Sequence, residues 1–224
     1  ARACSLPARV ANHAADAIDC VQGRETRPTR VGGWSSIAPT ARPKTCDVPT
    51  MRGEIKDFSE SLNRRVALLK GVPESCLQSV FEERLRLSPG AEELIAYAKA
   101  HKWKTLLVSG GFTFFTDKMK EVLGLDYTRS NTLEIVDGHL TGRVLGTIVD
   151  AEVKRETVLE TCTLLGCEPS RAIVVGDGSN DLKMMEISGA SVAFHAKPVV
   201  QEKTDFCINH GGLDTICKWF EANI

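Results

Sequence analysis

The sequence predicts an α/β fold built on a parallel sheet, and three observations predict it. Ala172-Ile173-Val174-Val175 is an apolar run, three-quarters β-branched, that ends in Gly176-Asp177-Gly178-Ser179-Asn180-Asp181. Such a run reads as a buried strand of a parallel sheet. Trp103 to Val108 is a second run of this kind and ends in Ser109-Gly110-Gly111. From residue 88 onward, strand-like and helix-like stretches alternate, as in βαβ units. Open α/β sheets collect ligands at the carboxyl ends of their strands, where both glycine-containing runs fall.

Composition narrows the classes. The chain has 224 residues, 42% of them hydrophobic and 25% charged, with a net charge of −1. No global field favours nucleic acid or an anionic membrane surface. No apolar run approaches the roughly 18 residues of a membrane helix. The eight cysteines, at 4, 20, 46, 76, 162, 167, 207 and 217, form no C-x-x-C pair. They read as reduced, mostly buried thiols of a cytoplasmic protein.

Taken in order, residues 1–50 are the outlier. Arginines at 2, 9, 24, 27, 30 and 42 sit among Pro, Thr, Ser and Gly without apolar periodicity. This composition predicts an atypical, poorly ordered segment. Residues 51–87 predict a small helical insert. Leu62, Val66 and Leu69 form a helical stripe, Gly71-Val72-Pro73 stops it, and a second helix follows from Glu74 to Leu87. Arg64 and Arg65 are adjacent in the first helix, about 100° apart, so at most one can face a shared cavity.

Residues 88–224 then predict the main layer. Ser88 and Pro89 are expected to start a helix that runs to about His101. The strand Trp103 to Val108 follows, and Phe112-Thr113-Phe114-Phe115 opens the next helix. Ser109-Gly110-Gly111 between them reads either as an ordinary turn or as an anion site, where backbone N–H groups and the helix dipole favour negative charge. Asp137-Gly138, between Thr132–Val136 and His139–Val144, is a strong hairpin signal. Lys154 falls in the first turn of the helix expected from Ala151 to Leu165. A lysine there opposes the dipole, a mismatch expected where a charge serves a site; the alternative is a solvated lysine. His139 and His195 lack a second histidine at ligand spacing and read as loop residues. Asp177 and Asp181 suit Mg²⁺, which takes one or two carboxylates and shares its shell with phosphate. A polar turn is the plainer reading of the same residues. Strands at Ala190–Phe194 and Asp205–Ile208 and a helix from Leu213 to Phe220 close the chain.

The order of Ser109-Gly110-Gly111, Lys154 and Gly176-Asp177-Gly178-Ser179-Asn180-Asp181 resembles motifs two, three and four of the haloacid dehalogenase superfamily. Met51-Arg-Gly-Glu, Arg64-Arg65-Val-Ala-Leu-Leu-Lys-Gly, Val108-Ser-Gly-Gly-Phe-Thr-Phe-Phe and Phe194-His-Ala-Lys-Pro look like the bacterial phosphoserine phosphatase family within it. The resemblance spans residues 51 to about 220. It implies a Rossmannoid parallel sheet with a small helical cap domain: 1–50 as a separate segment, 51–87 as cap, 88–224 as core. It implies a Mg²⁺-dependent hydrolysis of O-phospho-L-serine to L-serine and phosphate, in serine biosynthesis, by a monomer or homodimer that binds neither nucleic acid nor membrane.

Residue by residue, the resemblance assigns Asp177 to Mg²⁺ with Asp181 in support. Ser109 and the Gly110 N–H bind phosphate oxygens, and Lys154 neutralises the phosphate. Asn180 lines the site. Arg65 pairs with the substrate carboxylate, and Met51 and Phe58 pack over the substrate. The family's nucleophile lies in a D-x-D-x-T motif, about thirty residues before Met51 by the family's layout. No such motif occurs in 1–50; Asp19 falls near the position but lacks the second aspartate and the threonine. Two alternatives therefore stand beside the hydrolase: a phosphatase-like binding protein without turnover, and a related small-molecule phosphatase or phosphotransferase. Because the nucleophile strand would be central to the sheet, 1–50 is expected either to supply a makeshift strand near Ala15 to Val21 or to leave a gap.

Overall fold

The computed structural model describes residues 4–5 and 58–223. Among them, two compact units form. One contains Arg86–Leu133 and the chain from Val144 onward; the other contains 58–85 and Glu134–Arg143.

The first unit is the α/β layer. Strands β1 (Cys4–Ser5), β5 (Ala172–Gly176), β6 (Ala190–Phe194) and β7 (Phe206–Ile208) form a sheet in the order β1-β5-β6-β7, and every pairing in it is parallel. β5 is buried at all five positions, as its β-branched run requires. Its core neighbours include Val158 and Cys162 of α5 (Ala151–Leu165), Met184 and Met185 of α6 (Leu182–Met185), and Ala193 and Val200. β2 (Leu106–Phe112) pairs in parallel with β3 (Tyr127–Val136), and β4 (His139–Leu145) follows β3 in a second sheet.

Two parallel pairs are stapled at their amino ends in the same way. Thr105, just before β2, donates its N–H and hydroxyl to Asp126 Oδ2, each at 2.9 Å, and its oxygen accepts the Asp126 N–H at 3.0 Å. In β6, Ser191 donates its N–H (2.8 Å) and hydroxyl (2.7 Å) to Asp205 Oδ2, and accepts the Asp205 N–H at 3.0 Å. Each carboxylate thereby fixes the entry of one strand against that of its neighbour.

Several boundaries differ from the sequence expectation. The helix expected from Ser88 is α3 (Ala91–Ala100), capped by Gly90 at φ 78°. A side chain at Gly90 would meet Asp214 and Leu213, so the backbone there must be glycine before the helix can begin. β2 starts at Leu106 rather than Trp103 and runs on through Ser109-Gly110-Gly111. Phe112 is still extended, and the following helix, α4 (Thr113–Leu123), opens one residue later than expected. His139 begins β4 instead of lying in a loop. The strand next to β5 is Cys4–Ser5, with Cys4 opposite Ala172 and Ser5 opposite Ile173. Ala15 to Val21 lies outside the described residues, as does the rest of the segment read as poorly ordered apart from Cys4–Ser5. Five cysteines with described side chains are free thiols: Cys162 and Cys217 are buried, Cys76 and Cys167 half-buried, and Cys207 exposed.

In the second unit, α1 (Phe58–Ala67) and α2 (Ser75–Glu83) bury Leu62, Val66, Leu77 and Val80. α2 stops short of the expected Leu87. The connection between them lies along β4: Gly71 N–H donates to Leu140 O, and Leu140 N–H to Val72 O, both at 2.8 Å. The hairpin turn falls on Asp137 and Gly138, with φ 51° and 70°. These values are those of a type I′ turn, which the Asp-Gly pair favours.

Candidate active site

The residues at the carboxyl end of β5 wrap around one carboxylate. Asp181 is 2% exposed. Its Oδ2 accepts the N–H groups of Asp177 (3.3 Å) and Gly178 (3.1 Å), which closes the loop. Its Oδ1 accepts Lys154 Nζ at 2.7 Å. Both groups of this ion pair are buried, and Lys154 is 5% exposed, so it is not a solvated lysine. Gly176 is what allows the carboxylate so close: a Cβ there would stand 2.6 Å from Asp181 Oδ2. Asn180 sits half-buried in the short turn Ser179–Asp181 and folds back toward Gly178.

Lys154 projects from the first turn of α5, where the dipole opposes it. The N-cap, Asp150, compensates: its Oδ1 accepts the N–H groups of Glu152 and Val153, each at 2.9 Å. A bridge on the surface joins the same helix to α6, since Glu152 accepts Lys183 Nζ at 2.6 Å. That hydrogen bond, with Arg155 adding to it, holds the Glu152 carboxyl below its ordinary range.

Ser109 lies buried near the end of β2, 2% exposed. Pairing with β3 is regular to Val108 and resumes only at Phe112, opposite Asn131. In the interruption, Ser109 Oγ accepts the Gly111 N–H at 2.9 Å. A hydroxyl oxygen that accepts there keeps its own O–H for a further acceptor. The Gly110 carbonyl is taken by Asn131 Nδ2 at 2.8 Å, and Asn131 Oδ1 accepts the Val149 N–H at 2.8 Å. Asn131 thus ties Ser109-Gly110-Gly111 to the entry of the helix bearing Lys154. Sequence reasoning missed it, because it precedes the alternating strand pattern and carries no motif.

The structure therefore brings Lys154, Asp177 and Asp181 into one hydrogen-bonded cluster, and links Ser109 and Gly110 to the approach of Lys154 through Asn131. In the second unit, Arg64 is exposed and paired with Glu60 at 2.5 Å, whereas Arg65 is half-buried with Nε toward Ser61 O at 3.4 Å. Phe58 is half-buried at the start of α1. Met51 lies outside the described residues. His195 follows β6 at φ 48°, with Nε2 2.9 Å from Gly211 O.

Among the described residues, no three His, Cys, Asp or Glu side chains are grouped to hold a metal ion. The donors present are the carboxylates of Asp177 and Asp181, and Asp181 already takes Lys154 on one oxygen and two N–H groups on the other. This donor set fits a hard dication that needs one or two carboxylates and completes its shell with water and phosphate.

Comparison with known proteins gives the family. The family model for haloacid dehalogenase-like hydrolases matches residues 37–186. A phosphoserine phosphatase from Polaromonas sp. is 56% identical over 170 residues, covering 74% of this chain and 72% of that protein. A crystal structure of a probable phosphoserine phosphatase from Vibrio cholerae, unliganded, is 45% identical with a TM-score of 0.73; it covers 78% of this chain, which spans about half (53%) of that structure. A substrate-bound phosphoserine phosphatase structure is 31% identical with a TM-score of 0.80, covering 98% of both chains. Fold, motif order and relatives agree: the chain belongs to the haloacid dehalogenase-like hydrolases.

Proposed function

We propose that the protein is a phosphomonoester hydrolase of the phosphoserine phosphatase type, dependent on Mg²⁺ and acting in serine biosynthesis in the cytoplasm. The observation that carries the proposal is the buried Lys154–Asp181 pair beside the Asp177 loop. A buried ammonium is costly to keep unless it is paired, and in this reading Lys154 is held by Asp181 so as to meet a ligand anion as well. The named relatives support phosphoserine as the substrate.

In this reading the Ser109 hydroxyl and the Gly110 N–H donate to phosphate oxygens, and Lys154 balances their charge. Asp177 provides the carboxylate for Mg²⁺. Asp181 supports it by holding the loop and Lys154 in place, and Asn180 lines the site. Bound Mg²⁺ supplies charge neutralisation at the phosphate. Arg65 takes the substrate carboxylate, for which a planar guanidinium is suited, while Met51 and Phe58 exclude water. Division into a 51–87 cap and an 88–224 core belongs to the same proposal, as does a monomeric or homodimeric state without nucleic-acid or membrane partners.

A second reading rests on the sequence, which holds no D-x-D-x-T: the same groups bind a phosphate ester without turnover. Phosphate release from phosphoserine, from sugar phosphates and from other phosphomonoesters, with Mg²⁺ present, tests both. Multiple turnovers favouring phosphoserine are the expected result. Preference for a sugar phosphate overturns the substrate. Saturable phosphoserine binding by calorimetry without release establishes the second reading instead.

A further inference from the structure

We propose that Asn131 is a positioning residue that sets the phosphate-binding Ser109 and Lys154 relative to each other; this rests on the role given to those two residues above. Three observations carry it. Asn131 is 1% exposed and uses both ends of its amide on main-chain groups distant in sequence. The first of these, the Gly110 carbonyl, sits where β2 leaves its regular pairing with β3. The second, the Val149 N–H, lies immediately before Asp150, the cap of the Lys154 helix.

The consequence for Ser109 follows from donor and acceptor roles. The peptide between Gly110 and Gly111 is held at its carbonyl by Asn131 and at its N–H by Ser109 Oγ. Fixing that peptide obliges the serine oxygen to accept and directs its O–H to another acceptor. An anion placed there receives a donor that needs no reorientation on binding. At the other end, the same amide anchors the approach to α5, and so the base of the Lys154 side chain. The amide supplies a donor to the Gly110 carbonyl and an acceptor to the Val149 N–H, a reach that serine is too short to span. Asn131→Asp keeps the shape and the Val149 bond but sets an oxygen against the Gly110 carbonyl.

The test titrates inorganic phosphate, with Mg²⁺ present, into the full chain and three variants: Asn131→Asp, Asn131→Ser and Thr116→Val. Thr116, buried on α4, is hydrogen-bonded to Ser130 Oγ at 2.7 Å, so its variant loses a part-buried bond to the residue beside Asn131 on β3 and removes no hydrogen bond of Ser109. Circular dichroism fixes a temperature at which each remains folded. Both Asn131 variants are expected to weaken phosphate binding by about 10- to 100-fold, the usual effect of a group that orients a ligand's direct partners. Thr116→Val is expected to keep wild-type affinity. Hydrogen exchange at the Gly111 amide is expected to quicken in both Asn131 variants. Wild-type phosphate affinity in a folded Asn131 variant overturns the proposal, as does unfolding of both variants or unchanged Gly111 exchange. Absence of phosphate binding in the wild type, with faster Gly111 exchange in the variants, instead removes the proposed function and keeps Asn131 as the residue that orders the loop.

Discussion

Gly176 shows how narrow the tolerances are around the β5 loop. Its missing Cβ is the space into which Asp181 leans, and Asp181 in turn holds Lys154. Gly176→Ala is expected to push the carboxylate off the ammonium, and removing one partner of a buried pair costs about 3–5 kcal/mol. The protein should still fold by circular dichroism, with a lower melting temperature and phosphomonoester turnover reduced by about 10- to 100-fold. Wild-type turnover would show that the loop accommodates the methyl group. At this scale much was legible in the sequence. Ser109, Lys154, Asp177 and Asp181 could be singled out because they stand at strand ends or a helix start, although taken one at a time each also read as an ordinary turn or a solvated lysine. Asn131 was not legible, because a single polar residue before an alternating run resembles a surface position. What marks it is the break in pairing at Ser109–Gly111, which exists only once β2 and β3 are side by side.

Among the elements, the two carboxylate staples explain why short parallel strands hold their register. Crossover connections leave parallel strands free to slide, and each Asp fixes one pair at its amino end. Ser191, through its hydroxyl and N–H, holds the Asp205 carboxyl below its ordinary 3.8. Burial pushes Asp126 up, but the bonds from Lys104 and Thr105 outweigh it and its carboxyl also titrates low. A carboxylate with a depressed folded-state pKa stabilises fully above the unfolded value and loses that stabilisation as pH falls through the folded one. Melting temperature should therefore drop as pH falls below about 5, and drop less steeply in Asp205→Asn and Asp126→Asn. An identical acid profile in the variants would show that the staples contribute nothing through charge. The sequence indicated these strands but not their staples, since Thr105–Asp126 and Ser191–Asp205 pair only across a crossover. It also placed one helix start at Ser88 as a polar cap, and erred there because a glycine with positive φ did the capping.

Over the whole molecule, the sheet order bears on the outlying first segment. Cys4–Ser5 is the partner of β5 on the side away from β6. In a parallel pair one of two successive residues points its N–H at the neighbour, so proline at both positions removes that bond. Cys4→Pro with Ser5→Pro should cost about 1–3 kcal/mol if the exposed β5 group is left unsatisfied. The melting temperature would then fall by about 2–4 °C for each kcal/mol lost. An unchanged melt would show that β5 gains no stability from this strand. The architecture from residue 88 onward could be read from alternating patterns. The place of Cys4–Ser5 could not, because two residues without periodicity carry no strand signal. The loop at the end of β5 has a further consequence, at the level of charge balance. Asp177, Asp181 and Lys154 together carry one formal negative charge before any ligand arrives. In the proposed function a phosphate ester would enter against an existing deficit of positive charge, and a dication would enter toward it. The two ligands are then thermodynamically linked: whatever factor the dication adds to the affinity for phosphate, phosphate returns to the affinity for the dication.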